Sequence, residues 1–166
     1  MSLVTYRELK QEDAQALYDL WSDWEGIRYT NVEKPSTLDE LRGRIEVLKE
    51  YYTYVMVQEG QVIGILGCPP VDAAQGVYGL FYQLRKDCWG RGHGTRAVTW
   101  LLRRMQEQYG SVVLLAESVQ ENEASVAILQ RAGFQKVGEK RCEHRGQRVT
   151  ILQFRGEFSI SPPSLP

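Results

Sequence analysis

The chain has 166 residues, 43% of them hydrophobic and 25% charged, and carries a net charge of −1. That is the length of one domain, long enough to bury roughly two thirds of its unfolded surface, and the near-zero charge argues against a nucleic-acid partner. Charge appears at Arg7 and Glu8 before an apolar run can build, and nowhere do about eighteen apolar residues follow one another, so neither a secretion signal nor a membrane span is expected. Cys68, Cys88 and Cys142 are widely spaced and odd in number. They suggest neither a disulfide framework nor a zinc site, and a reducing cytoplasm is the simplest home. The balanced total conceals a split: residues 1–75 hold 7 Lys and Arg against 13 Asp and Glu, a net −6, whereas residues 76–166 hold 13 against 8, a net +5.

Val4 to Glu8 alternates as a short strand does, and Glu12-Asp13 opens a helix in which Leu17, Leu20, Trp21 and Trp24 recur on one face. Gly26 to Ser36 has no period. Thr37 and Glu40 form a capping-box pattern for a second helix through Leu38, Leu41, Ile45 and Leu48. Tyr52–Gln58 and Gln61–Gly67 are apolar runs separated by Glu59-Gly60, the pattern of a hairpin. Gly76–Leu84 reads as one further strand, followed by a glycine-rich turn and a helix whose Ala97, Val98, Leu101, Leu102 and Met105 make an apolar stripe.

Ser111–Val119 then reads as a strand, so that strand, helix and strand form a right-handed crossover with parallel strands. Asn122 opens a short helix from Glu123 to Ala132, with Gly133 at its exit. Gln135–Glu143 and Arg148–Phe154 read as a last hairpin. The expected organisation is one α/β domain over 1–158 and a Pro/Ser-rich tail over 159–166.

The turn Trp89-Gly-Arg-Gly-His-Gly-Thr95 is where chemistry is expected. Glycines let the backbone turn sharply and bring N–H groups close to an anion, and the helix that follows offers unpaired N–H groups and the positive end of its dipole. The alternative is an ordinary strand-to-helix turn. A nucleotide P-loop is disfavoured, because the Lys-Ser/Thr ending is missing.

Taken with Tyr82-Gln83-Leu84 before it and Asn122-Glu-Ala-Ser125…Gly133-Phe134 after it, this turn resembles that of the GNAT superfamily of acyl-CoA-dependent N-acyltransferases, and within it the RimJ/RimL-like members. Trp89 stands where the superfamily usually has Gln or Arg, and Arg91 where RimJ/RimL-like sequences often have Lys. The resemblance implies a mixed, mostly antiparallel central sheet with two splayed parallel strands and about four helices. It implies acetyl-CoA as cosubstrate, with no metal, held by backbone near Leu84 and Arg85, by the run Arg91, Gly92, His93, Gly94 and Thr95, and by Asn122 and Ser125. The partner it implies besides acetyl-CoA is an amine acceptor. Oligomeric state stays open, a homodimer being one option.

Amide formation requires a deprotonated amine, donors for a developing oxyanion and a thiolate that can leave. The resemblance puts Glu117 where relatives carry a base; the other reading is a solvated or salt-bridged strand carboxylate. Asn122 is either a plain N-cap or also a cofactor contact, and Ser125 either a satisfied hydroxyl or a donor near the thioester sulfur. Many relatives protonate the thiolate with a Tyr seven residues after the Asn, a position held here by Leu129. The His93 side chain is expected to face solvent or pack locally. Trp24 and Tyr29, in and near the irregular segment, are the expected acceptor contacts. The rival to an enzyme is an acyl-CoA-binding module without turnover.

Overall fold

The computed structural model describes residues 2–22, 24, 27–30 and 32–160. Among these, β1 (Val4–Glu8), β2 (Thr53–Gln58), β3 (Gln61–Gly67) and β6 (Phe81–Leu84) form one sheet in the order β1-β2-β3-β6. A second sheet has the order β4-β5-β7-β9-β8, from β4 (Pro70–Asp72), β5 (Val77–Gly79), β7 (Ser111–Val119), β8 (Gln135–His144) and β9 (Gln147–Ser159). Four α-helices pack on them: α1 (Ala14–Trp21), α2 (Leu38–Leu48), α3 (His93–Tyr109) and α4 (Glu123–Arg131). The expected mixed α/β architecture is present. No described helix is long and apolar enough to cross a membrane.

The local signals act as the physics of caps and turns requires. Thr37 accepts from the Glu40 N–H while Glu40 Oε2 accepts from the Thr37 N–H, closing the capping box of α2. Glu59 and Gly60, at φ 52° and 77°, make the left-handed two-residue turn whose twist suits the β2–β3 hairpin. Strand β2 is buried on both faces: Val55 lies with Ile65, Leu17, Leu41 and Ile45 on the α1/α2 side, and Tyr54 and Met56 lie with Leu101 and Met105 on the α3 side.

Two sequence expectations need correction here. Helix α1 stops at Trp21, so Trp24 is not on its apolar face but 59% exposed in the turn beyond. Trp21 alone enters the core, where its indole N–H donates to Gln83 Oε1. Second, Gly76–Leu84 is not one strand. Val77–Gly79 pairs parallel with Val113–Leu115, and the Leu80 N–H donates to the Leu115 carbonyl at 2.8 Å. Phe81–Leu84 then leaves β7 and pairs antiparallel with β3, Leu84 opposite Gly64. The run is apolar up to Gln83 and carries no proline, so the change of partner at Leu80 has no local mark. The sheet is thereby parted into two, with a fork between β6 and the end of β7. At the C-terminus β9 reaches Ser159, and the Ile160 N–H donates to the Gly110 carbonyl. The rest of the expected tail lies outside the described residues.

Asp13 ties β1 to the start of α1. Its carboxylate accepts two bonds from Arg7, at 2.9 and 2.8 Å, and one from the Lys10 N–H at 2.9 Å. Burial pushes this carboxyl up, but Arg7 and the Lys10 N–H outweigh it and hold it below the usual carboxylate range. A depressed folded value means that the contribution to stability is complete above the unfolded Asp value of about 3.9 and is lost as acid takes the pH down through the folded value. Asp13→Asn should cost about 1.5–3 kcal/mol at neutral pH. Its stability, read by urea unfolding, should converge with that of the parent in acid.

Candidate active site

The fork is lined on one side by backbone. Arg85 donates its N–H to the Ile63 carbonyl of β3 at 2.7 Å, and in an antiparallel ladder such bonds alternate. The N–H groups of Tyr82 and Leu84 therefore point the other way, along the edge where Leu80 makes its bond to β7. Of the two residues expected to present backbone to a cofactor, Leu84 has its N–H on the fork side. The Arg85 N–H is committed to the ladder, its carbonyl accepts from the Cys88 N–H, and its guanidinium pairs with Asp87 at 2.6 Å. Trp89 closes the turn, its indole N–H donating to the Leu84 carbonyl at 3.0 Å.

Beyond Trp89 the chain takes the left-handed conformation at Gly90 (φ 76°) and again at Gly92 (φ 81°), the N-cap of the 17-residue α3. Any other residue meets a steric penalty at these angles. Gly92 lies under the guanidinium of Arg96: a Cβ there would stand 2.9 Å from Arg96 Nη1. Arg96 folds back to donate to the Arg91 carbonyl at 2.8 Å and lies 3.0 Å from His93 Nδ1. Helix periodicity puts Arg96 on the outer face and could not reveal that its side chain returns to the loop.

Of the two alternatives for His93, local packing is the one present: it is 7% exposed, with Nε2 buried and without a protein partner. Burial first, then Arg96 and Arg91, push its pKa below the ordinary histidine value, so the neutral ring is favoured. Arg91 and Gly92 are exposed, Gly94 is buried and Thr95 half-buried, with the Thr95 carbonyl accepting from the Thr99 hydroxyl. A Cβ on Gly94 would stand 2.9 Å from Ile128 Cδ1, so this glycine lets α3 and α4 approach.

Asn122 is the N-cap of α4, its Oδ1 accepting from the Ser125 N–H at 3.3 Å. The Ser125 hydroxyl lies 2.9 Å from the Tyr82 hydroxyl. Tyr82 is the residue that sequence reasoning passed over: its side chain crosses from β6 to α4 at the fork. Alternation along the strand puts Tyr82 on the α3/α4 face with Leu84, but the meeting with Ser125 depends on packing.

Glu117 lies two residues past Leu115, where the parallel pairing ends. Ala116 and Ser118 are buried while Glu117 is exposed, so it stands on the face opposite α3 and α4. Its Oε1 pairs with Lys140 Nζ of β8 at 3.0 Å, both side chains half exposed. Tyr29 is half-buried, with the Arg28 guanidinium 5.1 Å from its ring centroid. The segment that holds it is fastened to the β8–β9 hairpin: Arg145 donates to the carbonyls of Ile27 and Thr30, and His144 Nε2 donates to Thr30 at 3.0 Å. Gly26 and Asn31 of that segment lie outside the described residues. A separate cleft of about 420 Å³, lined by Glu8, Lys49, Glu50, Tyr54, Arg104 and Gln108 among others, shares no residue with the fork. Among the described residues no three His, Cys, Asp or Glu side chains converge to hold a metal ion.

A fork between parallel strands, opening on a glycine turn at a helix N-terminus, defines a class of acyl-transfer fold. The sequence matches the Acetyltransferase (GNAT) domain family over residues 4–135, and the chain belongs to that family. It is 26% identical to an uncharacterized N-acetyltransferase of Bacillus licheniformis, over 91% of this chain and 90% of that one. The fold is similar to that of a ribosomal-protein-alanine N-acetyltransferase from Brucella melitensis (TM-score 0.81, 20% identity, 93% of this chain and 99% of that one). It is also similar to that of a GNAT superfamily phosphinothricin acetyltransferase from Sinorhizobium meliloti in complex with AcCoA (TM-score 0.82, 18% identity, 98% and 92%).

Proposed function

We propose that the chain is an N-acetyltransferase that moves an acetyl group from acetyl-CoA to a primary amine by direct attack in a ternary complex, through a single RimJ/RimL-like domain. The observation that carries this reading is the fork: two strands pair up to Leu115, then part, and the open edge of β6 runs into the glycine turn of α3. The residues present fit the cofactor, since the first turn of α3 carries N–H groups without helical partners and the Arg96 guanidinium lies over Gly92 at its start.

Acetyl-CoA supplies an activated carbonyl and a thiolate leaving group. On the protein side, the N–H groups from Gly92 to Thr95 bind the pyrophosphate, with a helix-dipole contribution of about 0.3–1 kcal/mol. Leu84 and Asn122 flank the pantetheine arm, and the Tyr82 N–H is directed where an oxyanion develops. Glu117 takes the amine proton, directly or through water, from the face opposite α4. Trp24 and Tyr29 contact the acceptor, and the net −6 of residues 1–75 favours a cationic amine or a basic N-terminus.

The test is a panel of amines and peptide N-termini with acetyl-CoA, followed by thiol release. Cationic acceptors should be fastest, with rates that fall as salt is raised. Salt-insensitive turnover of acidic acceptors would overturn the acceptor assignment. Tight acetyl-CoA binding with no thiol release from any acceptor would select the second reading, a binding module, which Leu129 in place of the relatives' tyrosine favours.

A further inference from the structure

We propose that the hydroxyl of Tyr82, held by Ser125 at the fork, is the proton donor to the thiolate that leaves when the acetyl group is transferred. This rests on the acetyl-transfer reading above. Three observations carry it. First, Tyr82 belongs to β6, its N–H points into the fork, and its side chain stands on the α3/α4 side of that same edge. Second, the ring is packed where solvent has little access: the Cβ position of Gly94 brings together Ile128 Cδ1, Leu84 Cδ1 and Tyr82 Cε2, at 2.9, 3.8 and 3.8 Å. The polar group facing the hydroxyl is Ser125, whose Oγ is at 2.9 Å and whose carbonyl is at 3.5 Å. Third, Tyr82 stands on the α3/α4 face and Glu117 on the opposite one, so the two proton transfers that amide formation needs are served from opposite faces.

Burial pushes the Tyr82 phenol up, with Ser125 pulling it partly back, so the proton stays on oxygen at neutral pH until a stronger base forms beside it. A thiolate with a parent pKa of about 8.5 becomes that base only as the C–S bond breaks and its charge is desolvated in the fork. The step balances. The acceptor nitrogen forms a bond to the acetyl carbon and gives its proton to Glu117 or water. The C–S electron pair goes to sulfur, and the phenol proton follows it. Ser125 then hands a proton to the Tyr82 phenolate and recovers one from solvent.

The experiment compares the parent with Tyr82→Phe, which keeps the ring and removes the hydroxyl. Turnover should fall roughly 10²-fold while acetyl-CoA affinity stays within about threefold. A second readout does not depend on turnover: the ultraviolet absorbance of the thiolate in the complex with CoA, followed against pH. Donation from Tyr82 stabilises the thiolate, so its absorbance should appear at lower pH in the parent than in Tyr82→Phe. Fluorotyrosine at position 82, with a more acidic phenol, should move the alkaline limb of the pH–rate profile downward. Unchanged turnover together with an unchanged thiolate titration in Tyr82→Phe would overturn this inference alone. A parent that binds CoA but transfers to no amine would overturn the reading beneath it as well.

Discussion

Gly92→Val is expected to lose acetyl-CoA binding, with affinity beyond the reach of calorimetry at near-millimolar ligand while the fold persists. At φ 81° a β-branched residue pays about 1–2 kcal/mol for the left-handed conformation alone. Its first side-chain atom would also press on Arg96 Nη1 at 2.9 Å. The guanidinium can move, but it holds the Arg91 carbonyl, so the loop that presents the anion-binding N–H groups moves with it. Gly90 separates the two effects. It has a similar φ of 76°, but a Cβ there would meet nothing within 4 Å. Gly90→Ala should therefore carry the backbone cost without crowding the turn and weaken binding far less. Equal affinities for Gly92→Val and the parent would remove the glycine turn from the cofactor site.

Glu117→Gln should lower turnover by roughly 10²–10⁴ near neutral pH with cofactor affinity little changed. The amide preserves shape and hydrogen-bonding atoms and removes only the ability to take a proton. A protonated amine is no nucleophile, so the loss should shrink at alkaline pH, where free amine no longer needs a base. Lys140 bears on this directly. An ion pair between two half-exposed side chains is worth about 0–1 kcal/mol, weak enough for an acceptor ammonium to displace the lysine. Lys140→Met should accordingly leave turnover within a few-fold of the parent. If Glu117→Gln keeps the parental pH–rate profile, Glu117 is a strand carboxylate paired with Lys140 and nothing more, and solvent or another group removes the proton.

What the sequence determined by itself is whatever short-range physics dictates. The Thr37–Glu40 box, the Glu59-Gly60 turn, the Asn122 cap and the left-handed exit at Gly133 each need only neighbours three or four residues away. The elements they bound stand where periodicity puts them. The stripe Ala97, Val98, Leu101, Leu102 and Met105 is buried because one helix face must be, and β7 covers Ser111–Val119 as read. The glycine turn between strand and helix was legible for the same reason.

The tertiary structure decided whatever depends on partners distant in the chain. No proline or charge separates Val77–Gly79 from Phe81–Leu84, and only the competition between β7 and β3 for their hydrogen bonds opens the fork at Leu80. Trp24 has helical spacing from Trp21, yet α1 ends at Trp21 and leaves it exposed. His93 and Arg96 look like surface residues of a first turn until packing buries one and folds the other onto the Arg91 carbonyl. Tyr82 and Ser125 are 43 residues apart and meet only because the crossover returns α4 to the fork. Local propensity acts through bonds within a turn, whereas a site assembled across a parallel crossover is set by long-range packing that no window of sequence contains.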